Sequence, residues 1–453
     1  MIEQLQKFRR EYAAVREALP FLDCYISELA PSWDDVPLLP PTDYRRLDTA
    51  TGKNRLVIQT EHSFEEIEAM AKAEPEVNFI IASGYRKLLY HIEAVARLIG
   101  NVPNIYVATG NLCNVFALET LVKAGCRDKL LYGSMVPYLD PGQAMGPVVL
   151  GDFDWETKCA IAGNNFRRLL GEPPVLPPVL PPVKIPSVII DAHGHTVNPG
   201  TKTRFPAPDS APVWSQWKGK LEFFGVTDFF NTPSEAIADV AAFPAYNTRE
   251  FCAASGGRVR YFEVFDPRNV PASMAALRRS LPDEMCIGIK IHPAEHFVDA
   301  DRPEYAEVYK MAAAYDKPIM THSWGVSDYN PKQKCSTPGR FDGHLAANPR
   351  ARFVFGHTGG RPNGFAEAVA MCRKYPRCMT DLAGDLFDGG FLAHALKEIG
   401  PDRIMFATDM YWIDPRCTLG MLMEQPLSDA DMLKVLRLNA EKTYLNRTRR
   451  QEQ

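Results

Sequence analysis

The sequence contains no uninterrupted apolar run long enough to cross a bilayer, although 46% of its 453 residues are hydrophobic. A transmembrane helix needs about 20 consecutive apolar residues. The charged opening stretch, MIEQLQKFRREYAAVREALP, also lacks the apolar segment typical of a secretory signal. Positive charge is not in excess either, because the formal net charge is -4. These absences argue against a membrane protein and against nucleic acid or an anionic membrane as partner.

No two cysteines have the Cys-x-x-Cys spacing of redox or zinc motifs. The 10 cysteines are scattered through both halves of the chain, and several, such as Cys24 and Cys286, lie inside apolar runs. We expect reduced, mostly buried thiols, as is usual in the cytoplasm. The sequence therefore predicts a cytoplasmic protein.

Histidine is scarce at the beginning of the chain. His62 and His91 are the only histidines before a proline-rich segment at 172–183, and eight follow it. The prolines of this segment favour an extended spacer and exclude a helix or a central strand. We predict a first part at 1–171, a linker at 172–185 and a second part at 186–453.

The second part contains eight short apolar segments, most of them followed by helix-like stretches. The alternation indicates a parallel sheet, and eight units in about 270 residues are typical of a closed (β/α)8 barrel. A doubly wound open sheet is the alternative, but no glycine-rich phosphate loop follows the first strand. The predicted strands are Ser187–Ile190, Leu221–Phe229, Val259–Phe265, Cys286–Ile291, Pro318–Thr321, Arg352–Gly356, Arg377–Asp381 and Arg403–Ala407.

Metal-binding side chains fall where four of these strands end. His193 and His195, one residue apart, follow the first strand and would point to the same side of an extended backbone. His322, His357 and Asp409 end the fifth, sixth and eighth strands. In a (β/α)8 barrel, the carboxyl ends of the strands carry the active site. The sequence therefore predicts that these five metal-competent side chains form one site.

The motifs occur in the order His-x-His, Gly-x-Lys-x-His-Pro, Thr-His-x-x-Gly, Gly-His-x-Gly-Gly and Thr-Asp, and Asn439-Ala440 lies in the last helix. This order resembles the amidohydrolase superfamily, and is most similar to the branch that contains aminocarboxymuconate-semialdehyde decarboxylase-like enzymes. The resemblance extends from Pro186 to about Leu445. It implies a TIM barrel with a metal site, and says little about the substrate.

The resemblance implies one ion held by His193, His195, His322 and Asp409. Zinc is the expected ion, and manganese would also suit these ligands. The resemblance also implies two catalytic residues: Asp409 as the general base and His357 as the group that polarises the substrate.

Four further residues near these motifs are candidates for substrate binding. Lys290 ends the fourth strand and either binds a substrate carboxylate, pairs with a nearby acid, or is carbamylated and bridges two metals, as in some amidohydrolases. The other candidates are His292, Trp324 and Arg361, for which ordinary packing is the alternative.

The first part repeats half of the predicted barrel. Asp128–Pro141 aligns without gaps to Asp402–Pro415, and the same offset places Val77–Gly84 on Ala351–Thr358. Leu56–Thr60 would correspond to the fifth strand of the barrel, and Asn164–Leu170 matches the helix that contains Asn439. We therefore predict a degenerate half-barrel whose βα units resemble strands 5–8.

The ligand positions of this half-barrel hold other residues. Ser83 stands in the place of His357, Met135 in that of Asp409, and Gln59 or Thr60 near that of His322. We predict that this part binds no metal. Because a half-barrel exposes strand edges and an apolar face, we also predict a homodimer joined through the first parts, with docking on the chain's own barrel or on another partner as alternatives.

The leading function is that of a metal-dependent hydrolase, which attacks a C–N or C–O bond of a small molecule with activated water. Non-oxidative decarboxylation of an aromatic or unsaturated carboxylic acid is the first alternative. A non-catalytic binding or scaffold protein is the second, because one half lacks the ligands.

Overall fold

The computed structural model describes residues 1–28, 43–45, 52–59, 61–83, 91–198 and 210–445. Thr60 and Gly84, which the sequence places in strands of the first part, lie outside these residues. The strands of the described part are β1 Leu22–Asp23, β2 Asp43–Tyr44, β3 Asn54–Ile58, β4 Asn78–Ala82, β5 Ile105–Ala108, β6 Leu130–Leu131, β7 Ile189–Gly194, β8 Val226–Asn231, β9 Val259–Phe265, β10 Cys286–Ile291, β11 Ile319–His322, β12 Phe353–Gly356, β13 Cys378–Asp381 and β14 Ile404–Met405.

Helices cover the outer faces of the sheets, and none in the described ranges is long and apolar enough to cross a membrane. The α-helices are α1 Ile2–Ala18, α2 Phe64–Ala73, α3 Ile92–Asn101, α4 Ala117–Lys123, α5 Gly142–Val149, α6 Trp155–Cys159, α7 Asn165–Leu170, α8 Trp214–Phe223, α9 Ser234–Ala238, α10 Arg249–Ala254, α11 Val270–Ser280, α12 Pro293–His296, α13 Ala306–Ala314, α14 Asp342–Ala347, α15 Pro362–Lys374, α16 Phe391–Ile399, α17 Pro415–Met423 and α18 Asp429–Leu433.

The second part is the predicted (β/α)8 barrel. Strands β7–β14 pair in sequence order and all run parallel. The barrel is closed by backbone hydrogen bonds from Ala192 to Phe406, from His195 to Met410 and from Asp409 to His193. These bonds exclude the open doubly wound sheet. Inward-facing side chains such as Val354 and Met405 are fully buried, as expected for a parallel sheet covered on both faces.

The predicted strands Val259–Phe265 and Cys286–Ile291 have the observed bounds. The predicted strand Leu221–Phe229 is wrong in its first half, because helix α8 continues to Phe223. Trp217 and Leu221 are four residues apart and both buried, so this apolar run follows a helical period. Gly225, with a φ of 67°, then makes the turn into β8.

The first part contains a second parallel sheet, in which β3–β6 pair in sequence order. These strands correspond to the predicted repeat of strands 5–8. The register corrects one assignment: Ile58 lies opposite Ala82 as His322 lies opposite Gly356, so Ile58 takes the place of His322 instead of Gln59.

The first part also contains a counterpart of barrel strand 1, which was not predicted from the sequence. Cys24 donates its backbone N–H to Tyr132, Met135 to Tyr25 and Ser27 to Val136. The corresponding bonds in the barrel join Ala192 to Phe406, Asp409 to His193 and His195 to Met410. Two residues are called counterparts if they hold the same place in these strand pairings or in the aligned loops and helices that follow the paired strands, as Phe116 and Gly390 do, which each precede a helix.

The first part packs against the chain's own barrel. Helix α5 lies on α17, and a Cβ added to Gly142, Gly146 or Gly420 would overlap backbone atoms of the facing helix. The two helices therefore approach closely only because glycine stands at these positions.

Two contacts across this interface are equivalent by symmetry, because each residue of one contact has its counterpart in the opposite part in the other contact. Asn114 bridges Ile413, and Leu139 bridges Asp388. Leu139 and Ile413 are counterparts, as are Asn114 and Asp388. The interface thus has approximate two-fold symmetry within one chain, so docking on the chain's own barrel, one of the predicted alternatives, occurs in the structure. Association of two chains remains a prediction.

Candidate metal centre

The barrel brings all five predicted strand-end side chains together at the carboxyl ends of its strands. The ring centroids of His193 and His195 are 5.3 Å apart, and His357 lies 4.7 Å from His193 and 4.6 Å from His322. The Nε2 atom of His195 lies 3.0 Å from Oδ1 of Asp409. Strand ends far apart in sequence therefore form one cluster.

Within this cluster, His193, His357 and Asp409 each offer a ligand atom, and these atoms lie within 4.8 Å of one another. Two of these residues belong to the predicted ligand set, whereas His357 was predicted to be catalytic. His195 and His322 stand beside the trio. The Nε2 atom of His195 faces Asp409, and that of His322 is bonded to Oε1 of Gln333 at 2.9 Å. The predicted division of roles between ligands and catalytic residues remains a proposal.

Three of the histidine rings are oriented by hydrogen bonds of their Nδ1 atoms. Nδ1 of His193 lies 3.0 Å from Asp381, that of His195 lies 2.7 Å from the Thr232 carbonyl, and that of His357 lies 3.0 Å from the Ala383 carbonyl. Such bonds fix the tautomer and leave Nε2 to face an ion.

Asp381 links two of these histidines. Its Oδ2 atom contacts the ring of His193, and its Oδ1 atom accepts the backbone N–H groups of His357 at 2.8 Å and of Ala383 at 3.1 Å. Asp381 was not among the residues predicted from the sequence. The signal was present, because this carboxylate ends the predicted strand Arg377–Asp381 as Asp409 follows the last strand. Gln333, in a short 3-10 helix between β11 and β12, has no comparable signal.

Asp191 is a second buried carboxylate that was not predicted from the sequence. It accepts the backbone N–H of Thr408 at 3.1 Å and the Thr408 hydroxyl at 2.5 Å, and so ties β7 to the segment after β14. Burial raises the pKa of Asp191 to about 7.

Burial controls the charge of the imidazoles. It lowers the pKa of His193 and His322 well below the ordinary value, and that of His357 to about 3. For Asp409, burial acts to raise the pKa, but the hydrogen bond with His195 and the neighbouring imidazoles bring it below the ordinary value. His193, His322 and His357 are therefore neutral beside the carboxylate anion of Asp409, and this donor set suits zinc or manganese.

Three of the four predicted substrate-binding residues, His292, Trp324 and Arg361, lie on one side of this cluster. His292 stacks on His322 with centroids 4.0 Å apart and planes at 9°, and Trp324 lies 5.7 Å from His322 with planes at 3°. The guanidinium of Arg361 lies 5.0 Å from the Trp324 ring and donates to Asp385 at 3.0 Å. The parallel rings of His292, His322 and Trp324 thus form a wall at one side of the cluster, and the guanidinium of Arg361 lies at the end of this wall.

Lys290 is fully buried and approaches the candidate ligands from the barrel interior. Its Nζ atom lies 2.6 Å from Nε2 of His193 and 3.5 Å from the sulfur of Met320. Burial lowers the pKa of Lys290 to about 8.

Comparisons with solved structures find similar chains of low sequence identity. A 2,6-dihydroxybenzoate decarboxylase from Rhizobium is 17% identical with a TM-score of 0.47, and the match covers 58% of this chain and 99% of that one. A 5-carboxyvanillate decarboxylase from Sphingomonas paucimobilis is 14% identical with a TM-score of 0.46, covering 57% and 98%. A putative amidohydrolase from Staphylococcus aureus is 16% identical with a TM-score of 0.45, covering 56% and 99%. No curated protein matches the chain.

The model of the amidohydrolase family matches residues 190–445, which is more than half of the chain. The matched range contains the whole cluster of candidate ligands. The chain belongs to the amidohydrolase family.

Proposed function

We propose that the barrel is a metal-dependent carboxy-lyase, which removes carbon dioxide from a small aromatic or unsaturated carboxylic acid without oxidation. The observation that carries this proposal is the wall of parallel rings that the candidate ligand His322 forms with His292 and Trp324. Flat rings favour stacking with a flat, conjugated substrate.

The proposed ligands are His193, His195, His322 and Asp409, with His357 either joining them or contacting the substrate. The donor set fits a divalent ion because His193 and His322 are neutral and the carboxylate of Asp409 is charged. When bound, zinc or manganese would supply Lewis acidity toward a negatively charged oxygen of the substrate.

Loss of carbon dioxide leaves an electron pair on the ring carbon, and a proton must replace the departing group. We assign this proton transfer to Asp409, whose carboxylate has a ligand atom within 4.8 Å of those of His193 and His357. Asp409 is an anion in the resting site, so it must first take a proton from the substrate or from solvent and then pass it to carbon. Neutral His357 donates its Nδ1–H to the Ala383 carbonyl, so its Nε2 atom is free to bind the ion or to accept a hydrogen bond from the substrate.

A hydrolase is the second candidate, and the anionic state of Asp409 favours it. A carboxylate that is already deprotonated can act directly as a general base toward water. Such an enzyme would cleave a C–N or C–O bond with the same residues. A purely non-catalytic protein fits the barrel less well, because its buried carboxylate and imidazoles are all retained.

We propose that Lys290 interacts with the charged group of the substrate from below the ligands. Lys290 contacts a neutral imidazole and a thioether, whereas the charge of Arg361 is offset by Asp385 and Asp388. Carbamylation of Lys290 remains the alternative, since its lowered pKa leaves part of the amine neutral and able to react with carbon dioxide. Metal affinity that rises with added bicarbonate would favour carbamylation.

The two reactions can be separated by incubating the metal-loaded full chain in D2O. A panel of hydroxylated aromatic carboxylic acids should release carbon dioxide and gain one deuterium at the carbon that lost it. Matched aromatic amides and esters should release no ammonia or acid. Cleavage of the amides or esters without carbon dioxide release would contradict the carboxy-lyase proposal and support the hydrolase, and the variant Asp409→Asn serves as the inactive control.

A further inference from the structure

The loop at 409–414 carries Asp409 into the cluster, and it is held at its beginning by the barrel. Asp409 donates its backbone N–H to His193 at 2.9 Å, and its side chain faces His195. Its φ of 67° is unusual for a residue other than glycine. A backbone in this region persists only when the surrounding contacts hold it there.

The end of the same loop is held by the first part of the chain. Asp414 donates its backbone N–H to Cys113 at 2.8 Å, and its carboxylate accepts the backbone N–H of Phe116 at 2.9 Å. Ile413 forms a bridge with Asn114. The first part therefore supports the end of the loop at 409–414 and holds it in place.

A buried ion triad secures this support. Arg416 is fully buried and donates to both carboxylate oxygens of Asp414, at 2.9 and 2.7 Å. Arg416 also donates to the carboxylate of Glu119 in helix α4 of the first part, with Nη2 and Oε2 2.9 Å apart. Removing one member of such a buried set leaves a charge without full compensation.

The triad exists on only one side of the two-fold interface. The counterpart of Asp414 is Asp140, but the counterparts of Arg416 and Glu119 are Gly142 and Ala393, which cannot form an ion pair. Burial raises the pKa of Asp140 to about 7. If the triad served only to hold the two parts together, either side could carry it. It is found beside the loop that carries Asp409.

We propose that Glu119 is a positioning residue for Asp409 and acts through Arg416 and Asp414. The first part, which has lost its own ligands, thereby contributes to the metal site of the second. This inference rests on the proposed function, because it assumes that Asp409 binds an ion in the barrel.

The test measures Co²⁺ binding to the full-length chain, since the visible absorption of Co²⁺ reports the geometry of its ligands. The variants are Glu119→Gln, which removes the charge, and Glu119→Asp, which keeps the charge but withdraws it by one methylene group. Glu424→Gln is the matched control, because Glu424 pairs with Arg16 at 3.2 Å and joins the same two parts at another place.

We expect Glu119→Gln to weaken Co²⁺ affinity about tenfold, within the range typical of residues that orient metal ligands, and to change the absorption spectrum. Glu119→Asp should show a smaller change, and Glu424→Gln should match the wild type. If Glu119→Gln does not fold, the spectrum of Glu119→Asp decides the question in the same way.

A folded Glu119→Gln variant with wild-type affinity and spectrum would overturn this inference alone. An equal loss in Glu424→Gln would also overturn it, because the effect would then be a general loosening of the interface. A wild-type chain that binds no Co²⁺ would overturn the proposed function, and this inference with it.

Discussion

The two parts of this chain share one scaffold at the junction of their first and last strands but differ at the positions that face an ion. Asp23 accepts the backbone N–H groups of Ser134 and Tyr25, as its counterpart Asp191 accepts those of Thr408 and His193. The amide of Asn165 donates to two backbone carbonyls, as does that of its counterpart Asn439. These polar groups are therefore present in both parts, although only the barrel has the candidate ligands.

The candidate ligands have been replaced at every position where the first part has a counterpart. Tyr25, Ser27, Ile58, Ser83 and Met135 stand where the barrel has His193, His195, His322, His357 and Asp409. Asp381 follows the same pattern, since Ala108 takes its place opposite Leu131. The comparison therefore distinguishes two roles. Asp191 has a carboxylate counterpart in the first part and connects the first and last strands of the barrel. Asp381 has no carboxylate counterpart, just as the candidate ligands have none, and we therefore assign it to the candidate metal site.

The largest expected effect is on metal content. The double substitution His193→Tyr with His195→Ser gives the barrel the residues found in the first part. We expect bound metal to fall from about one ion per full-length chain to almost none, as measured by elemental analysis after dialysis. The matched double substitution Tyr25→Phe with Ser27→Ala should leave the content unchanged. Metal retained by the first variant would show that another region of the chain binds it.

Turnover should depend on Asp409 and not on its counterpart. Asp409→Asn removes the group that transfers the proton, so we expect the rate of the metal-loaded variant to fall by about 100-fold or more. Steady-state rates with a substrate from the deuterium experiment provide the measurement. Met135→Leu, at the counterpart position, should retain the wild-type rate. Near-normal turnover by Asp409→Asn would remove Asp409 from the mechanism.

Substitution of Asp381 should mainly affect metal affinity, whereas substitution of Asp191 should mainly affect stability. Asp381→Ala introduces the residue of the first part and should weaken metal binding by about 10-fold to 100-fold, because the ring of His193 loses its acceptor. Asp191→Asn should mainly lower the thermal stability. Chelator competition and thermal unfolding measure the two properties on the same samples. Equal losses of metal affinity in both variants would contradict the distinction between them.

The smallest expected effect concerns the pH dependence of stability in the first part. Burial raises the pKa of Asp23 to about 7, and the bonds from Ser134 and Tyr25 oppose this only partly. The folded state therefore binds more protons than the unfolded state between about pH 4 and pH 7, and stability decreases as pH rises through this range.

Asp23→Asn keeps an oxygen acceptor and cannot ionise, so it should remove part of this decrease. The raised pKa sets an upper limit of about 2.7 kcal/mol on this difference, at about 1.4 kcal/mol for each of the two pH units between pH 5 and pH 7. Denaturant titrations of wild type and variant at pH 5 and pH 8 measure it. A variant that loses as much stability as the wild type between these values would show that Asp23 is not the group responsible.

The sequence alone was sufficient to predict the barrel, most of its strands and the five strand-end side chains that form the cluster. Local information was enough here, because the period of apolar residues defines strands and the carboxyl ends of parallel strands must share one end of a barrel. The repeat of strands 5–8 followed from the ungapped alignment. The boundary of the linker and the identity of the ion remain predictions.

Tertiary structure decided what depends on contacts between distant residues. The strand at Leu22–Asp23 is too short to have a recognisable period, and it became visible only through its hydrogen bonds to residues 132–136. The register that places Ile58 at the position of His322 depends on strand pairing, which sequence spacing does not fix to one residue. The contact of Glu119 with Arg416 joins two parts nearly 300 positions apart. Nothing in either local sequence indicates it, because only the docking of α5 on α17 brings the two side chains together.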